Sequence, residues 1–159
     1  ERSALTLLPG RPRLAVSRTM SKAFAFAGAR VGYLAASPAF IDALRLVRLP
    51  YHLSALTQAA ALAALAHADV MLATVDDIVQ QRDRMGATLS ALGYEPFESW
   101  TNFILFGGVA DPQATFRAIF DRNMLVRDVG IPDTMRVSAR TEEETTEFLE
   151  QLASVRSQA

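Results

Sequence analysis

Cysteine is absent and histidine occurs only at His52 and His67. The first absence excludes disulfides and thiolate metal sites. The second leaves too few imidazoles for a metal centre, so no metal ligand is assigned. Charge of one sign is also lacking: 16 basic residues face 17 acidic ones, for a formal net charge of -1. That balance offers nothing to nucleic acid or to an anionic membrane surface. Long apolar runs are missing too. The most apolar stretch, 55–66, is alanine-rich and falls short of the roughly 20 residues that span a bilayer. The N-terminus does not show the basic-then-apolar order of a signal peptide. A soluble, cytoplasmic protein is expected. The last scarcity is lysine. Of the 16 basic residues 15 are arginine, and Lys22 is the only lysine. The arginine bias by itself reads as a coding bias. The place of the one lysine, in an apolar segment with glycines, needs another reason.

What is there suffices for one domain, or for a small domain plus a piece of another. The chain has 159 residues, half of them hydrophobic. Leu14 to Thr19 reads as a strand after the turn at Pro9-Gly10-Arg11-Pro12. Residues 21–30 fit neither strand nor helix periodicity and read as a loop. Val31 to Ala36 reads as a second strand, apolar on both faces and therefore buried. Ser37-Pro38 starts a helix to about Val47, and Ser54 caps another to about His67. A long helix from Val70 to Leu92 carries apolar residues at three- and four-residue steps and closes at Gly93.

From Tyr94 the texture changes to short strands alternating with helices. Strands are expected over 102–106, 124–127 and 135–138, with a helix over 113–121. Thr141 and Glu144 have the spacing of a capping box for a last helix, with Phe148, Leu149, Leu152 and Val155 as its buried stripe. The pattern is α/β, with a boundary near residue 70. The first body, residues 1–69, holds too few elements to close a core, so the chain reads as part of a longer protein.

The loop Thr19-Met20-Ser21-Lys22-Ala23-Phe24 leads to Gly28-Ala29-Arg30-Val31-Gly32-Tyr33. A phosphate-bearing aldehyde needs a primary amine to form a Schiff base. It also needs hydroxyls and a guanidinium for its phosphate. Lys22 supplies the amine, Thr19 and Ser21 the hydroxyls, and Arg30 the guanidinium. An apolar setting around Lys22 is expected, to favour its neutral, nucleophilic form.

The string T-x-S-K-x-F-x-x-x-G-x-R-x-G-Y resembles the lysine motif of fold-type I pyridoxal-phosphate (PLP) enzymes. More narrowly it is similar to the histidinol-phosphate aminotransferase family. The similarity extends over the chain, through Leu49-Pro50-Tyr51-His52-Leu53-Ser54, Thr101-Asn102-Phe103, Leu125-Val126-Arg127-Asp128 and Met135-Arg136-Val137-Ser138. It implies that residues 1–69 end a large PLP-binding domain. Residues 70–159 would then be a linking helix and a small C-terminal α/β domain. It also implies that Lys22 is catalytic and holds PLP, and that Thr19, Ser21 and Arg30 bind the cofactor phosphate.

Arg127 and Arg136 stand at the ends of two expected strands joined by residues 128–134. Spacing alone leaves open whether they are solvated strand ends or converge on an anion. The resemblance implies that they bind the substrate phosphate and, in the second half-reaction, the carboxylate of glutamate. Asn102 either lines the cleft or caps a turn. Tyr51, His52 and Trp100 read as packing residues, and His67 as a helix-surface residue. The family's usual glycine before the last helix is replaced by Arg140. Either the turn is reshaped or an extra positive charge faces the cleft.

The resemblance thus implies transamination of L-histidinol phosphate with 2-oxoglutarate, a step of histidine biosynthesis, in a cytoplasmic homodimer. The family's acidic partner for the pyridine nitrogen and its ring-contacting asparagine and tyrosines have no match here. The chain alone is therefore expected to be inactive. Two alternatives stay open. One is a related PLP enzyme, an aromatic aminotransferase or a threonine-phosphate decarboxylase. The other is a non-catalytic α/β interaction module.

Overall fold

The chain separates into two compact units that divide between Leu72 and Ala73. Residues 3–157 are described, in a computed structural model. The division falls inside a helix, a little beyond the boundary expected near residue 70.

In the first unit Ser3 caps a short 3-10 turn, Ala4–Leu7. Strands β1 (Ala15–Thr19) and β2 (Gly32–Ala36) pair antiparallel, from Ala15 opposite Ala36 to Thr19 opposite Gly32. Gly32 is required there: a Cβ at this position would lie 2.4 Å from the Arg18 carbonyl oxygen. The burial expected for the second strand is not found. Val31 is buried, but it precedes the strand, and Tyr33 and Leu34 are 53% and 39% exposed. The reason is that β1 and β2 form a sheet of only two strands, so among the described residues no second layer covers both faces.

Helix α1 (Pro38–Val47) begins with proline at its first position, where a missing N–H costs nothing. Ser37 makes no side-chain cap; its hydroxyl instead donates to the Pro12 carbonyl at 2.9 Å. Helix α2 (Ala55–Ala66) is capped as expected, with Ser54 Oγ accepting from the Thr57 N–H at 3.0 Å. The buried core of this unit is small: Met20, Val31 and Ala61, with Phe24, Phe26 and Leu53 packed against it. Tyr51 and His52 contribute nothing to it. Both are exposed, Tyr51 at 97%, contrary to the packing role expected for them.

Helix α3 (Ala68–Ala91) crosses the division. It ends in a Schellman motif: Gly93 has φ +79°, its N–H donates to the Ser90 carbonyl, and the Tyr94 N–H donates to the Leu89 carbonyl. The second unit contains an antiparallel sheet in the order β3-β4-β6-β5. Its strands are β3 (Glu95–Pro96), β4 (Phe103–Gly107), β5 (Arg127–Asp128) and β6 (Met135–Ser138). β3 was not foreseen in the sequence.

The strand expected over 124–127 shrinks to β5. The preceding residues close helix α4 (Pro112–Phe120) instead: Asn123 takes φ +62°, and the Met124 N–H donates to the Ile119 carbonyl at 3.2 Å. A segment committed to a helix C-terminus cannot also form a ladder. Helix α5 (Glu142–Ser157) starts with the expected capping box, in which Thr141 Oγ1 accepts from the Glu144 N–H at 3.2 Å.

The core of the second unit gathers Met85 and Leu89 of α3, Phe106 of β4, Ile119 of α4, Met135 of β6 and Leu152 of α5. Tyr94 sets its ring edge against Phe106, with centroids 5.4 Å apart. Strand alternation sends Ile104, Phe106, Met135 and Val137 into this core. Phe103, Leu105 and Arg136 therefore lie on the other face of the sheet. Trp100 lies outside the core, 85% exposed, and is not the packing residue it was expected to be. No single described helix is long and apolar enough to cross a membrane.

Candidate active site

The lysine loop runs from β1 to β2, and backbone bonds close it. The Met20 N–H donates to the Val31 carbonyl at 3.2 Å, and the Phe26 N–H donates to the Met20 carbonyl at 3.1 Å. This closure ties the residue before Ser21 to the residue after Arg30. Thr19 Oγ1 donates to Ser21 Oγ at 2.8 Å and accepts the Ser21 N–H at 3.1 Å. That arrangement leaves the Ser21 hydroxyl hydrogen for a further acceptor.

Two residues of the loop hold left-handed backbone without being glycine: Ala25 and Arg30, both at φ 53°. Such positions are uncommon for residues with a Cβ and cluster at functional sites. The Arg30 guanidinium donates to the Ala27 carbonyl at 3.0 Å, within its own turn. A Cβ at Gly28 would meet nothing within 4 Å, so the described residues themselves do not demand glycine there. Lys22 is exposed, and its amine has no hydrogen-bond or ion-pair partner among the described residues. The apolar enclosure expected around it is absent from the first unit. The small core takes in Met20, with Phe24 and Phe26 packed against it, and Lys22 is not part of it.

In the second unit, Arg127 is the register partner of Arg136, across the β5–β6 ladder. Directly opposed residues of an antiparallel pair project from the same face. Both guanidiniums therefore leave the sheet on the side away from the core. Residues 128–134 make the hairpin turn, held by Asp128 Oδ1 accepting the Gly130 N–H at 2.8 Å and by the Thr134 hydroxyl donating to the Ile131 carbonyl at 2.9 Å. Arg127 is exposed and Arg136 half-buried. Among the described residues neither guanidinium has a hydrogen bond or an acidic partner. Arg136 lies instead over the Phe103 ring, 4.7 Å from its centroid.

Phe103 is the contact that sequence reasoning missed. The period-2 alternation of β4 was the available signal, because it sets Phe103 and Leu105 on the arginine face. Asn102, just before β4, uses its carbonyl to accept the Ala139 N–H at 2.9 Å and extends the β4–β6 pairing.

Arg140, in place of the expected glycine, does not adopt positive φ. Its guanidinium donates to Glu144 Oε1 at 2.6 Å. That hydrogen bond, with a smaller contribution from the Thr141 N–H, holds the Glu144 carboxyl below its ordinary range. The turn accepts arginine in ordinary backbone geometry, and its charge is engaged by the last helix.

Comparison with known proteins adds the following. The family model for aminotransferase class I and II matches residues 2–152. The chain is 59% identical over 153 residues to histidinol-phosphate aminotransferase of Paenarthrobacter aurescens (strain TC1), covering 96% of this chain and 41% of that protein. The solved structure of histidinol-phosphate aminotransferase from Sinorhizobium meliloti in complex with pyridoxal-5'-phosphate is similar at TM-score 0.79 and 30% identity, over 98% of this chain and 44% of that one. The histidinol-phosphate aminotransferase from Clostridium acetobutylicum shares the fold at TM-score 0.86 and 20% identity, over 99% of this chain and 50% of that one. The chain spans about two-fifths of the length of the curated relatives it matches.

Proposed function

Since this chain belongs to the aminotransferase class I and II family, we propose that it supplies the C-terminal part of a PLP-dependent histidinol-phosphate aminotransferase, with Lys22 as the cofactor lysine. The observation that carries this reading is the closure of the lysine loop by Met20 and Val31. It gathers an exposed primary amine, two hydroxyls and a guanidinium into one short segment. That donor set fits a phosphate-bearing aldehyde. Ser21 has a hydroxyl hydrogen to give, and the amine is unengaged among the described residues.

When bound, PLP supplies an electron sink for charge that develops at the substrate α-carbon. The residues of this chain would contribute as follows. Thr19, Ser21 and Arg30 hold the cofactor phosphate through charge-assisted hydrogen bonds. Lys22 Nζ anchors the cofactor. With the cofactor bound, Nζ would also be the base that takes the α-carbon proton and the acid that later returns one. Arg127 and Arg136 bind the phosphate of L-histidinol phosphate, and in the second half-reaction the carboxylate of 2-oxoglutarate or glutamate.

In this reading residues 1–69 are the end of the large PLP-binding domain, and residues 70–159 are the linking helix and the small C-terminal domain. The whole enzyme is a cytoplasmic homodimer. The chain by itself holds the lysine but no match for the family's acidic partner of the pyridine nitrogen. By itself it is expected to be inactive or nearly so.

The test is a PLP titration of the chain, with borohydride reduction and peptide mapping. Lys22 is the only lysine, so the α-amino group is the sole competing amine. A saturable adduct on Lys22, lost in Lys22→Ala and weakened in Arg30→Gln, is the expected result. Labelling confined to the N-terminus would overturn the assignment of the cofactor site.

A further inference from the structure

The Arg136 guanidinium stands directly across the ladder from a second cation, Arg127. Like charges placed so repel, and the usual remedy is an acidic side chain beside one of them. Neither arginine has such a partner among the described residues. What Arg136 has is Phe103. In the β4–β6 register Phe103 opposes Ser138 and Leu105 opposes Arg136. Phe103 is thus the diagonal neighbour of Arg136 on the same face, a separation that an aromatic ring and a long side chain bridge. The guanidinium carbon lies 4.7 Å from the ring centroid.

We propose that Phe103 is a positioning residue for the substrate anion, holding the Arg136 guanidinium by its flat face so that its N–H edge stays free to bind phosphate or carboxylate. The inference rests on the anion-binding role proposed for Arg136. A guanidinium has two faces and a rim of five in-plane donors. A ring attracts it through a cation–π contact and offers its donors no carboxylate oxygen to occupy them. A carboxylate in the place of Phe103 would hold Arg136 more firmly, but it would occupy the same N–H groups that a substrate anion needs. An aliphatic residue would leave the donors free but would supply no attraction to oppose the push of Arg127.

Stacking alone is not the argument. Arg156 lies over Tyr94 at 4.6 Å. There, however, the guanidinium also packs against the backbone at Gly93, at the end of a helix where a cation is favoured on structural grounds. Arg136 has no such duty. It stands beside a second unpaired cation on a face turned away from the core.

The experiment titrates the chain with inorganic phosphate and follows the Arg127 and Arg136 Nε–H signals by NMR. Wild type is compared with Phe103→Leu, Phe103→Tyr, Arg127→Gln and Arg136→Gln. The expected results are an Arg136 side chain shifted upfield by the ring in wild type and Phe103→Tyr, with the shift lost in Phe103→Leu. Phosphate affinity should fall about two- to fivefold in Phe103→Leu, the range that an exposed cation–π contact supports, and should recover in Phe103→Tyr. A general loss of structure would move the core signals of Met135 and Leu152 toward random-coil positions as well, and the tyrosine variant separates that outcome from loss of aim. If Phe103→Leu binds phosphate as wild type does while Arg136→Gln does not, the positioning role is overturned and the arginine pair stands. If phosphate moves neither arginine signal in wild type, the anion site fails and the role of Phe103 fails with it.

Discussion

Arg127 and Arg136 are cross-strand partners on one face of the small sheet, two cations held opposite each other with no acidic partner among the described residues. Such an arrangement opposes folding, by up to about 1 kcal/mol for an exposed pair, and becomes favourable only when an anion bridges it. Removing one charge should therefore separate stability from binding. Arg127→Gln is expected to leave the melting temperature of the chain unchanged or slightly higher, while abolishing the rise that phosphate produces in wild type. Thermal melts with and without phosphate, at matched ionic strength, read both quantities. A phosphate-dependent rise of wild-type size in Arg127→Gln would exclude that arginine from the site.

Gly93 closes α3 with φ +79° and lies under the Arg156 guanidinium, where a Cβ would come within 2.8 Å of a terminal nitrogen. An alanine there meets left-handed backbone, at roughly 1–2 kcal/mol, and also displaces Arg156 from Tyr94. Gly93→Ala is expected to lower the urea midpoint accordingly, with an unchanged slope. An alanine variant as stable as wild type would show that the helix end does not need the left-handed turn.

Thr145 is 1% exposed, and its hydroxyl has no partner among the described residues. A buried hydroxyl without a hydrogen bond opposes folding, so Thr145→Val should stabilise the second unit by about 1 kcal/mol. Thr145→Ser keeps the hydroxyl and loses a methyl group, and should destabilise. Denaturant unfolding of the pair decides the matter: a destabilised valine variant would mean that the hydroxyl is satisfied.

The capping box of α5 should respond to acid. The hydrogen bond from Arg140, and after it the Thr141 N–H, hold the Glu144 carboxyl below its ordinary value. A depressed carboxyl contributes stability that is fully present above the unfolded pKa, and the contribution is lost as pH falls through the lower folded value. The start of α5 should therefore stay protected at mildly acidic pH and fray only below the ordinary carboxyl range. Arg140→Gly, which removes the guanidinium, should move the Glu144 titration upward. A carbon-detected NMR titration in which Glu144 titrates identically in both chains would contradict this account.

Much of the helical framework was legible because local rules governed it. Pro38 after Ser37, Ser54 ahead of the alanine-rich helix, Gly93 after α3 and the Thr141–Glu144 box each mark a boundary through their own backbone chemistry. The failures came where a segment had two uses. Residues 124–126 look like a strand, but Asn123 and Met124 are spent on closing α4. Tyr51 and Trp100 look like core but stand exposed, because aromatic character by itself does not say which surface a side chain meets.

For the candidate site the division is similar. A single lysine flanked by hydroxyls and followed by Arg30 can be recognised in the chain as written, because cofactor chemistry requires those groups close together in one loop. Register cannot be read there. That Arg127 meets Arg136 directly, that Phe103 lies under one of them, and that the Arg140 charge goes to Glu144 are consequences of strand pairing and side-chain reach. Only the Phe103 contact joins residues distant in sequence, but all three depend on register or side-chain reach, and only the packed tertiary structure decides which of them are made.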